Sequence, residues 1–387
     1  MACGASTAAQ ASRYDSDEKG SESRAQDVPS FGTNVWVQNL KKGGGIKMEI
    51  VRNIKVPTGN IMVGQGDKGL IEFLSIGDYG REKNVKASFL GLEREIDGVP
   101  NGEIMPLEEK WVITISSQYG CSMGCRFCDV PMVGRGRNAT LKDMLGQIKA
   151  ALSIHPEVAA TKRLNIHYAR MGEPTFNGNV LASAFKLREI VRPHVGRSLV
   201  HPVVSTMLPK KNNRLMEFLN VWTIDVKNYF YRGDAGLQFS INSTCDMQRH
   251  DMFSGNSMEL SKISELGKNL IDPIGRKYAL NFALADGYKV DAQKLREMFS
   301  PRKFMVKITP IHITASTEKS GIKTSGGYSE FTPYRRIERE LIDAGFDVIV
   351  FIPSVEEDLG MITCGNAILS GKEPSVEYSD LPCGCRI

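Results

Sequence analysis

The sequence has no apolar run approaching the roughly 20 residues that cross a bilayer, and its first residues lack the apolar core of a signal peptide. The expectation is a chain that works in the cytoplasm, away from any membrane. Charge of one sign is not in excess either. The 49 Lys and Arg against 44 Asp and Glu leave a net charge of +5, compatible with an RNA partner without demanding one. Short basic pairs at Lys41-Lys42, Lys210-Lys211 and Arg335-Arg336 are more often solvated faces than nucleic-acid sites. Apolar residues are sparse from Met1 to about Asn34. Residues 1–34 therefore cannot bury enough surface to offset the entropy of ordering, and are expected to form a disordered tail with Cys3 as a solvated thiol. With 41% hydrophobic and 24% charged residues over 387 positions, the remainder has room for one large domain and an accessory one.

Cysteine is scarce, eight residues in all, yet three of the eight fall in Gly120-Cys121-Ser122-Met123-Gly124-Cys125-Arg126-Phe127-Cys128, directly after the strand-like run Trp111 to Ser116. On one short loop, three cysteines at this spacing can turn their sulfurs inward. A structural zinc site wants a fourth Cys or His at a paired spacing, and no second Cys-x-x-Cys or His-x-x-x-His follows within thirty residues. A disulfide framework suits small secreted domains instead. Thiolates are the usual protein ligands of iron–sulfur clusters, most of which take four, so three leave one iron open to a substrate or cofactor. The spacing resembles that of the radical S-adenosylmethionine (SAM) enzymes. The resemblance implies a [4Fe-4S] cluster on Cys121, Cys125 and Cys128, with SAM chelating the open iron through its amino and carboxylate groups.

Elsewhere the chain reads as an α/β protein. From about residue 35 to 107, short Val-, Ile- and Phe-rich runs alternate with turn signals such as Pro57-Thr58-Gly59-Asn60 and Gly64-Gln65-Gly66-Asp67, which suggests a small β-rich accessory module. Residues 108–370 form the expected core. Strand candidates are Trp111 to Ser116, Leu164 to Ala169, Leu199 to Ser205, Leu237 to Asn242, Tyr278 to Leu284 and Phe304 to Pro310. Helical candidates lie near Leu141 to Leu152, Asn179 to Val191, Arg214 to Asp225, Ser257 to Leu270, Ala292 to Phe299 and Tyr334 to Ala344. Six β-then-α units predict a partial (β/α)6 barrel with its chemistry at the C-terminal strand ends, where the cysteine loop falls. A final strand-like run, Asp347 to Ile352, precedes Cys364, and residues 371–387 read as a tail ending Cys383-Gly384-Cys385.

Other polar residues fall at the expected strand ends. Met171-Gly172-Glu173-Pro174 follows the second strand; Val204-Ser205-Thr206 and Ser240-Ile241-Asn242-Ser243-Thr244 end the third and fourth. Gly172 and Glu173 can bring backbone and carboxylate against an ammonium. Ser205, Ser240 and Asn242 can face the barrel mouth to bind ribose and carboxylate, or can cap the following helices.

Together these segments resemble the radical-SAM methyl synthases that methylate carbon 2 or carbon 8 of adenosine in ribosomal and transfer RNA. Ser116 to Cys121 is similar to that family's Ser-Ser-Gln-x-Gly-Cys, Met171 to Pro174 to its Met-Gly-Glu-Pro, and Val204 to Thr206 to its Val-Ser-Thr. Ala283 to Tyr288 resembles its Leu-Leu-Asp-Gly-Val turn, Ile308-Thr309-Pro310 its Leu-Ile-Pro, and Ile362 to Asn366 its Ala-Ala-Cys-Gly-Gln. The similarity runs over residues 106–370. It implies that Gly172 and Glu173 receive the amino group of SAM, that Ser205, Ser240, Asn242 and His312 lie in the SAM site, and that Cys364 carries a methyl group. A 5′-deoxyadenosyl radical would then draw hydrogen from that S-methyl, whose carbon radical adds to the adenine. It further implies an rRNA or tRNA substrate and a reducing electron donor such as flavodoxin or ferredoxin.

The chain departs from the family pattern at several positions. Thr114 stands where the family has the cysteine that resolves its RNA adduct, and a hydroxyl cannot form the required disulfide. Asn101 stands at the general-base glutamate, with Glu103 two residues on. Ser240-Ile241-Asn242 replaces Ser-Leu-His, and Pro310-Ile311-His312 replaces Pro-Phe-Asn. The β-rich segment takes the place of a helical RNA-binding module. Cys245, Cys383 and Cys385 are the thiols left to act at resolution, and His250 and His312 are available for proton transfer. Two functions therefore compete: methyl transfer to an RNA adenosine through Cys364, and hydrogen abstraction from a protein, peptide or small molecule in which Cys364 has another role.

Overall fold

The structure, a computed structural model, describes residues 46–80, 84–92, 104–196, 198–325 and 332–375. Cys3, Asn101, Glu103, Cys383, Cys385 and the expected tail over 1–34 lie outside the described residues.

In chain order the strands are β1 (Glu49–Val56), β2 (Gly59–Gly66), β3 (Gly69–Ile76), β4 (Val85–Lys86), β5 (Trp111–Ile115), β6 (Gln118–Tyr119), β7 (Arg137–Asn138), β8 (Leu164–Tyr168), β9 (Val200–Thr206), β10 (Gly236–Ser240), β11 (Tyr278–Leu284), β12 (Phe304–Pro310) and β13 (Val348–Phe351). All six expected core strands form, and β5, β8, β9, β10, β11 and β12 pair in parallel in that order. The final strand-like run adds β13 as a seventh, parallel to β12. Helices fill the crossovers. Leu141–Ser153 is started by a capping box between Thr140 and Asp143, and Asn179–Val195, Leu260–Asn269, Ala292–Met298 and Thr332–Asp343 follow near the expected places. Where one helix was expected over Arg214 to Asp225, a short α-helix at Leu215–Asn220 runs into a π-helix over Val221–Phe230.

The β-rich segment shares the barrel's sheet. Two-residue turns at Pro57-Thr58 and Asp67-Lys68 make β1, β2 and β3 an antiparallel meander, and β3 pairs antiparallel with β5, Leu74 opposite Thr114. The same segment then crosses to the far edge, where β4 pairs antiparallel with β13. Both edges of the parallel sheet are thereby covered, which removes open backbone from each.

Side chains alternate along the parallel strands with period two. One face carries Trp111, Ile113, Ile166, Tyr168, Leu237, Phe239, Leu280, Phe282, Val306 and Ile308, all buried in the main core against the helices. Thr114, His167, Ser205, Gln238, Asn281, Lys307 and Thr309 alternate with them and keep some exposure. That second face curls on itself. On a flat sheet His167 of β8 and Lys307 of β12 would stand about 19 Å apart, four strand spacings. Yet Lys307 adds to the burial that pushes the His167 imidazole down to about 3. The curled face makes a polar lumen inside an apolar shell.

Closing the lumen is a buried ion pair. Glu72 of β3 and Arg170, just past β8, are nearly inaccessible. The Arg170 guanidinium donates through Nε to Glu72 Oε1 at 2.7 Å and through Nη2 to the Met361 carbonyl at 2.9 Å. Glu72 Oε2 accepts the Leu369 N–H at 3.1 Å. Removing one partner of such a pair leaves a charge buried and unpaired. Glu72→Ala is therefore expected to cost about 3–5 kcal/mol in denaturant unfolding, and adding Arg170→Met to recover part of that loss. A single variant within about 0.5 kcal/mol of wild type would contradict the pair's structural role.

Candidate active site

The three clustered cysteines sit on the loop that follows β5. A short antiparallel pair, β6 with β7, pinches the loop at its base. Gly120 adopts φ +78°, and a Cβ there would lie 2.1 Å from the Gly134 carbonyl oxygen, so only glycine fits. The Cys121 N–H donates to that same oxygen at 3.0 Å. Beyond it, the carbonyls of Met123, Gly124, Arg126, Phe127 and Cys128 are each held by a side chain from another segment. Asn256 Nδ2 donates to the Met123 oxygen at 2.9 Å, and Ser254 Oγ donates to that of Gly124. Ser320, Thr314 and Ser316 hydroxyls donate to Arg126, Phe127 and Cys128 at 3.1, 3.0 and 3.0 Å. With its carbonyls drawn outward, the loop turns its thiols to the inside.

Around them the environment is apolar. Met123, Phe127, Met252, Phe253, Ile311 and Ile322 form one buried cluster with Cys125, and Cys121 and Cys128 pack against it. Burial pushes the Cys121 thiol up to about 11, opposed by N–H groups of Met123 and Gly172 that donate to its sulfur. Cys125 and Cys128 are pushed well above the ordinary thiol value by burial first and then by the neighbouring thiols. Three thiolates are thus stable together here only with a positive partner, which is what a metal centre brings. Among the described residues no three Cys, His, Asp or Glu side chains converge on the tight spacing of a single ion. Thiolates that each hold a different iron of a cluster stand further apart than the ligands of one zinc.

Gly172 and Glu173 adjoin this loop. Gly172 has φ +97°, and a Cβ would meet the Gln118 side chain at 2.5 Å. Gln118 Oε1 accepts the Glu173 N–H at 2.9 Å. The Glu173 carboxyl is buried, accepting from Thr175 N–H and Oγ1 at 3.1 and 2.7 Å and from the Met207 N–H at 2.8 Å. Burial pushes it up from the ordinary carboxyl value. A cation docking there would favour the charged form.

Cys364 comes to the same place from the end of the chain. The Asp129 N–H, next to Cys128, donates to the Gly365 oxygen at 2.8 Å. Gly365, at φ +96°, leaves no room for a side chain, because a Cβ would stand 3.0 Å from the Phe127 oxygen and 3.6 Å from Cys128 Cα. Thr363 is bound on both sides: its carbonyl by Arg170 at 3.5 Å and its hydroxyl by Asp358. Cys364 keeps solvent contact although protein surrounds it, so it lines a crevice. Burial raises its thiol pKa, and the charges of Arg170 and Lys307 oppose the rise.

The remaining expected residues are placed less uniformly. Ser205 faces the lumen and donates to Gln238 Oε1 at 3.3 Å. Ser240 is buried at the end of β10, its carbonyl accepting from Arg249. Asn242 takes φ +58°, and its amide is engaged with the Ala283 N–H at 3.1 Å and Met252 Sδ at 3.2 Å. His312 Nδ1 lies 3.1 Å from Asp358 Oδ1, so it is tied to the Cys364 segment. Thr114 is mid-strand beside His167, His250 is exposed on a helix, and Cys245 precedes that helix.

Sequence reasoning missed Asp129, Arg170 and Arg249. Asp129 accepts the N–H groups of Ala315 and Ser316 at 3.1 and 2.8 Å, fastening the cysteine loop to the helix Ala315–Ser320. Arg249 is wholly buried and spans Ser240, Ile241 and Ser257. Charged residues directly beside a motif, as Asp129 and Arg170 are, were the available signal.

No protein-family model matches the chain. A dual-specificity RNA methyltransferase RlmN of Campylobacter hominis is 33% identical over 105 residues, 27% of this chain and 28% of that protein. A probable RlmN of Akkermansia muciniphila is 38% identical over 109 residues, 27% of each chain. Another, from a Mycobacterium species, is 28% identical over 209 residues, 50% of this chain and 52% of the other. The chain thus spans between 27% and 52% of the length of these curated relatives. A radical SAM methyltransferase from Sphaerobacter thermophilus superposes with a TM-score of 0.57 over 82% of this chain and 80% of that one, at 18% identity. The chain is a divergent relative of the RlmN proteins and has the fold of that methyltransferase.

Cys125→Ala is expected to abolish iron and labile-sulfide uptake on anaerobic reconstitution while leaving far-UV circular dichroism unchanged. Wild-type iron content in that variant would remove the loop from consideration as a metal centre.

Proposed function

We propose that this chain is a radical-SAM enzyme that transfers a methyl group to an unactivated carbon through Cys364, with an rRNA or tRNA adenosine as the substrate. The observation that carries the reading is the seating of the Cys364 segment on the cysteine loop, through the Asp129 to Gly365 hydrogen bond and the Gly365 contact with Cys128. A [4Fe-4S] cluster on Cys121, Cys125 and Cys128, with SAM on its open iron, would supply the 5′-deoxyadenosyl radical.

The chain's own residues divide the remaining work. Glu173, buried and acceptor-rich, would take the amino group of SAM beside the Gly172 backbone; Ser205, Ser240, Asn242 and His312 would line the rest of that pocket. Cys364 would attack the SAM methyl as a thiolate, forming a carbon–sulfur bond as the sulfonium bond breaks. Arg170, Asp129 and Asp358 would hold the segment still, and the apolar cluster of Met123, Phe127 and Phe253 would exclude water from reactive carbon. The RNA substrate comes from the sequence resemblance and the names of the RlmN relatives. Reduction would come from a flavodoxin- or ferredoxin-type donor in the cytoplasm. No helix among the described residues is long and apolar enough to cross a membrane.

A second reading is favoured by Thr114. Cys245 is the one described cysteine beyond the loop and Cys364, and the resolving position holds a hydroxyl. In that reading the radical abstracts hydrogen from a protein, peptide or small molecule, and no adduct has to be resolved.

Peptide mass spectrometry of the anaerobically reconstituted protein, after incubation with SAM and a reductant, separates the two. A gain of one methyl group on the Cys364 peptide, absent in Cys364→Ala, is the expected result. Released 5′-deoxyadenosine with an unmodified Cys364 would discard the methyl-carrier role in favour of the second reading.

A further inference from the structure

Three polar groups in the barrel lumen have no part in the chemistry above. Lys307 on β12 stands in register with Asn281 on β11, which in turn is in register with Ser240 on β10. Thr309 lies two residues on from Lys307 and so points to the same face. Among the described residues the Lys307 ammonium meets no hydrogen-bond acceptor; its one close partner is the Phe351 ring, 5.2 Å away. Asn281 donates through Nδ2 to Gln238 Oε1 at 2.6 Å, an oxygen that also accepts the Ser205 hydroxyl. In this orientation Asn281 Oδ1 is left buried without a partner, as is Thr309 Oγ1.

Leaving one buried polar atom unpaired costs about 1–3 kcal/mol. Two such oxygens on adjacent strands, beside an ammonium that keeps some solvent contact, form a site awaiting its complement. The geometry also selects that complement. Asn281 Oδ1 needs a donor, while the Lys307 ammonium needs a lone pair. A carboxylate or phosphate would satisfy Lys307 and Thr309 but would set negative charge against Asn281 Oδ1. A keto edge fails in the same way. An amino group beside a ring nitrogen supplies both halves, the amino N–H to Asn281 and the ring lone pair to Lys307. Burial lowers the Lys307 ammonium from its ordinary value, Lys110 adds to that and Cys364 opposes it, so Lys307 and Cys364 lie within each other's field.

We propose that Lys307, Asn281 and Thr309 form a subsite for the amino-and-ring-nitrogen edge of a nucleobase, the edge that adenine and cytosine share, and that Lys307 is its specificity-determining residue. The inference rests on the methyl-transfer reading only for its purpose: a base held there would present its carbon to the group carried on Cys364.

The test is calorimetric binding of adenosine, cytidine, inosine and uridine to the full-length, SAM-saturated protein. Adenosine and cytidine are expected to bind about tenfold or more tighter than inosine and uridine, and Lys307→Met to lose about tenfold of that affinity. Lys307 keeps some exposure and makes no hydrogen bond among the described residues, so the same variant is expected to melt close to wild type in the absence of ligand, and loss of binding in it would not reflect unfolding. Asn281→Leu supplies a second variant that should erase the preference for amino over keto bases. Equal binding of the four nucleosides, or wild-type affinity in Lys307→Met, would overturn the proposal. So would loss of adenosine binding as SAM is titrated in, which would assign these groups to the cofactor. Base discrimination in a protein whose Cys364 takes no methyl group would sustain the subsite while removing the methyl-carrier reading.

Discussion

The Glu72–Arg170 pair ties three distant parts of the chain into one site. Glu72 belongs to the antiparallel meander at one sheet edge, Arg170 to the tip of β8, and the Met361 and Leu369 groups they bind to the segment carrying Cys364. A buried ion pair is weak evidence of net stability, since the cost of desolvating both charges offsets most of their attraction. What it does supply is direction. Beyond each other, the two side chains bind the backbone of Met361, Thr363 and Leu369, so the Cys364 segment docks in one register. The accessory strands therefore act on the chemistry without touching it, by holding the carboxylate that holds the arginine.

A similar economy governs the cysteine loop. A loop that turns three thiols inward must turn its peptide oxygens outward, and buried oxygens need donors. Asn256, Ser254, Thr314, Ser316 and Ser320 provide them. These donors come from segments following β10 and β12, so the loop's shape is set by the folded barrel rather than by its own sequence. The apolar side chains beneath it remain free of polar duty and can keep water from the thiols. Dry surroundings and hydrogen bonds to sulfur are also the means by which proteins tune the potential of an iron–sulfur centre.

Much of this was legible in the residues alone. The alternation of β-branched runs with helical stretches locates the parallel strands within one or two residues, because period two and period 3.6 are local properties of the chain. The cysteine spacing and the Gly172-Glu173 turn were readable for the same reason. Long-range pairings were not. Nothing local in Leu70 to Leu74 states that β3 will pair with β5, or that β4 will cross to β13, since edge pairing depends on which backbones are left open once the core has formed. Arg170 and Asp129 read as ordinary charged neighbours of motifs until their partners, 98 and 187 residues away in sequence, are known. The π-helix over Val221–Phe230 was also hidden, its composition suiting an α-helix equally well.

Parallel strands covered on both faces usually read as continuous apolar runs, and those of this chain do not. Thr114, His167, Gln238, Asn281 and Lys307 interrupt them at every second position. A sheet that gives one whole face to polar groups forgoes the apolar burial that face would have contributed, on the order of 25 cal/mol per Å². The other face, with Trp111, Tyr168, Phe239 and Phe282 fully buried against helices, carries the stability instead, and the antiparallel strands at both edges prevent the polar trough from opening. The sacrifice falls where strand ends, cysteine loop and Cys364 converge. A lumen that was merely a by-product of folding would be filled by side chains satisfying one another. This one contains, among the described residues, two buried oxygens without partners and an ammonium that meets no acceptor, the distribution expected of a surface shaped to meet something that is not part of the chain.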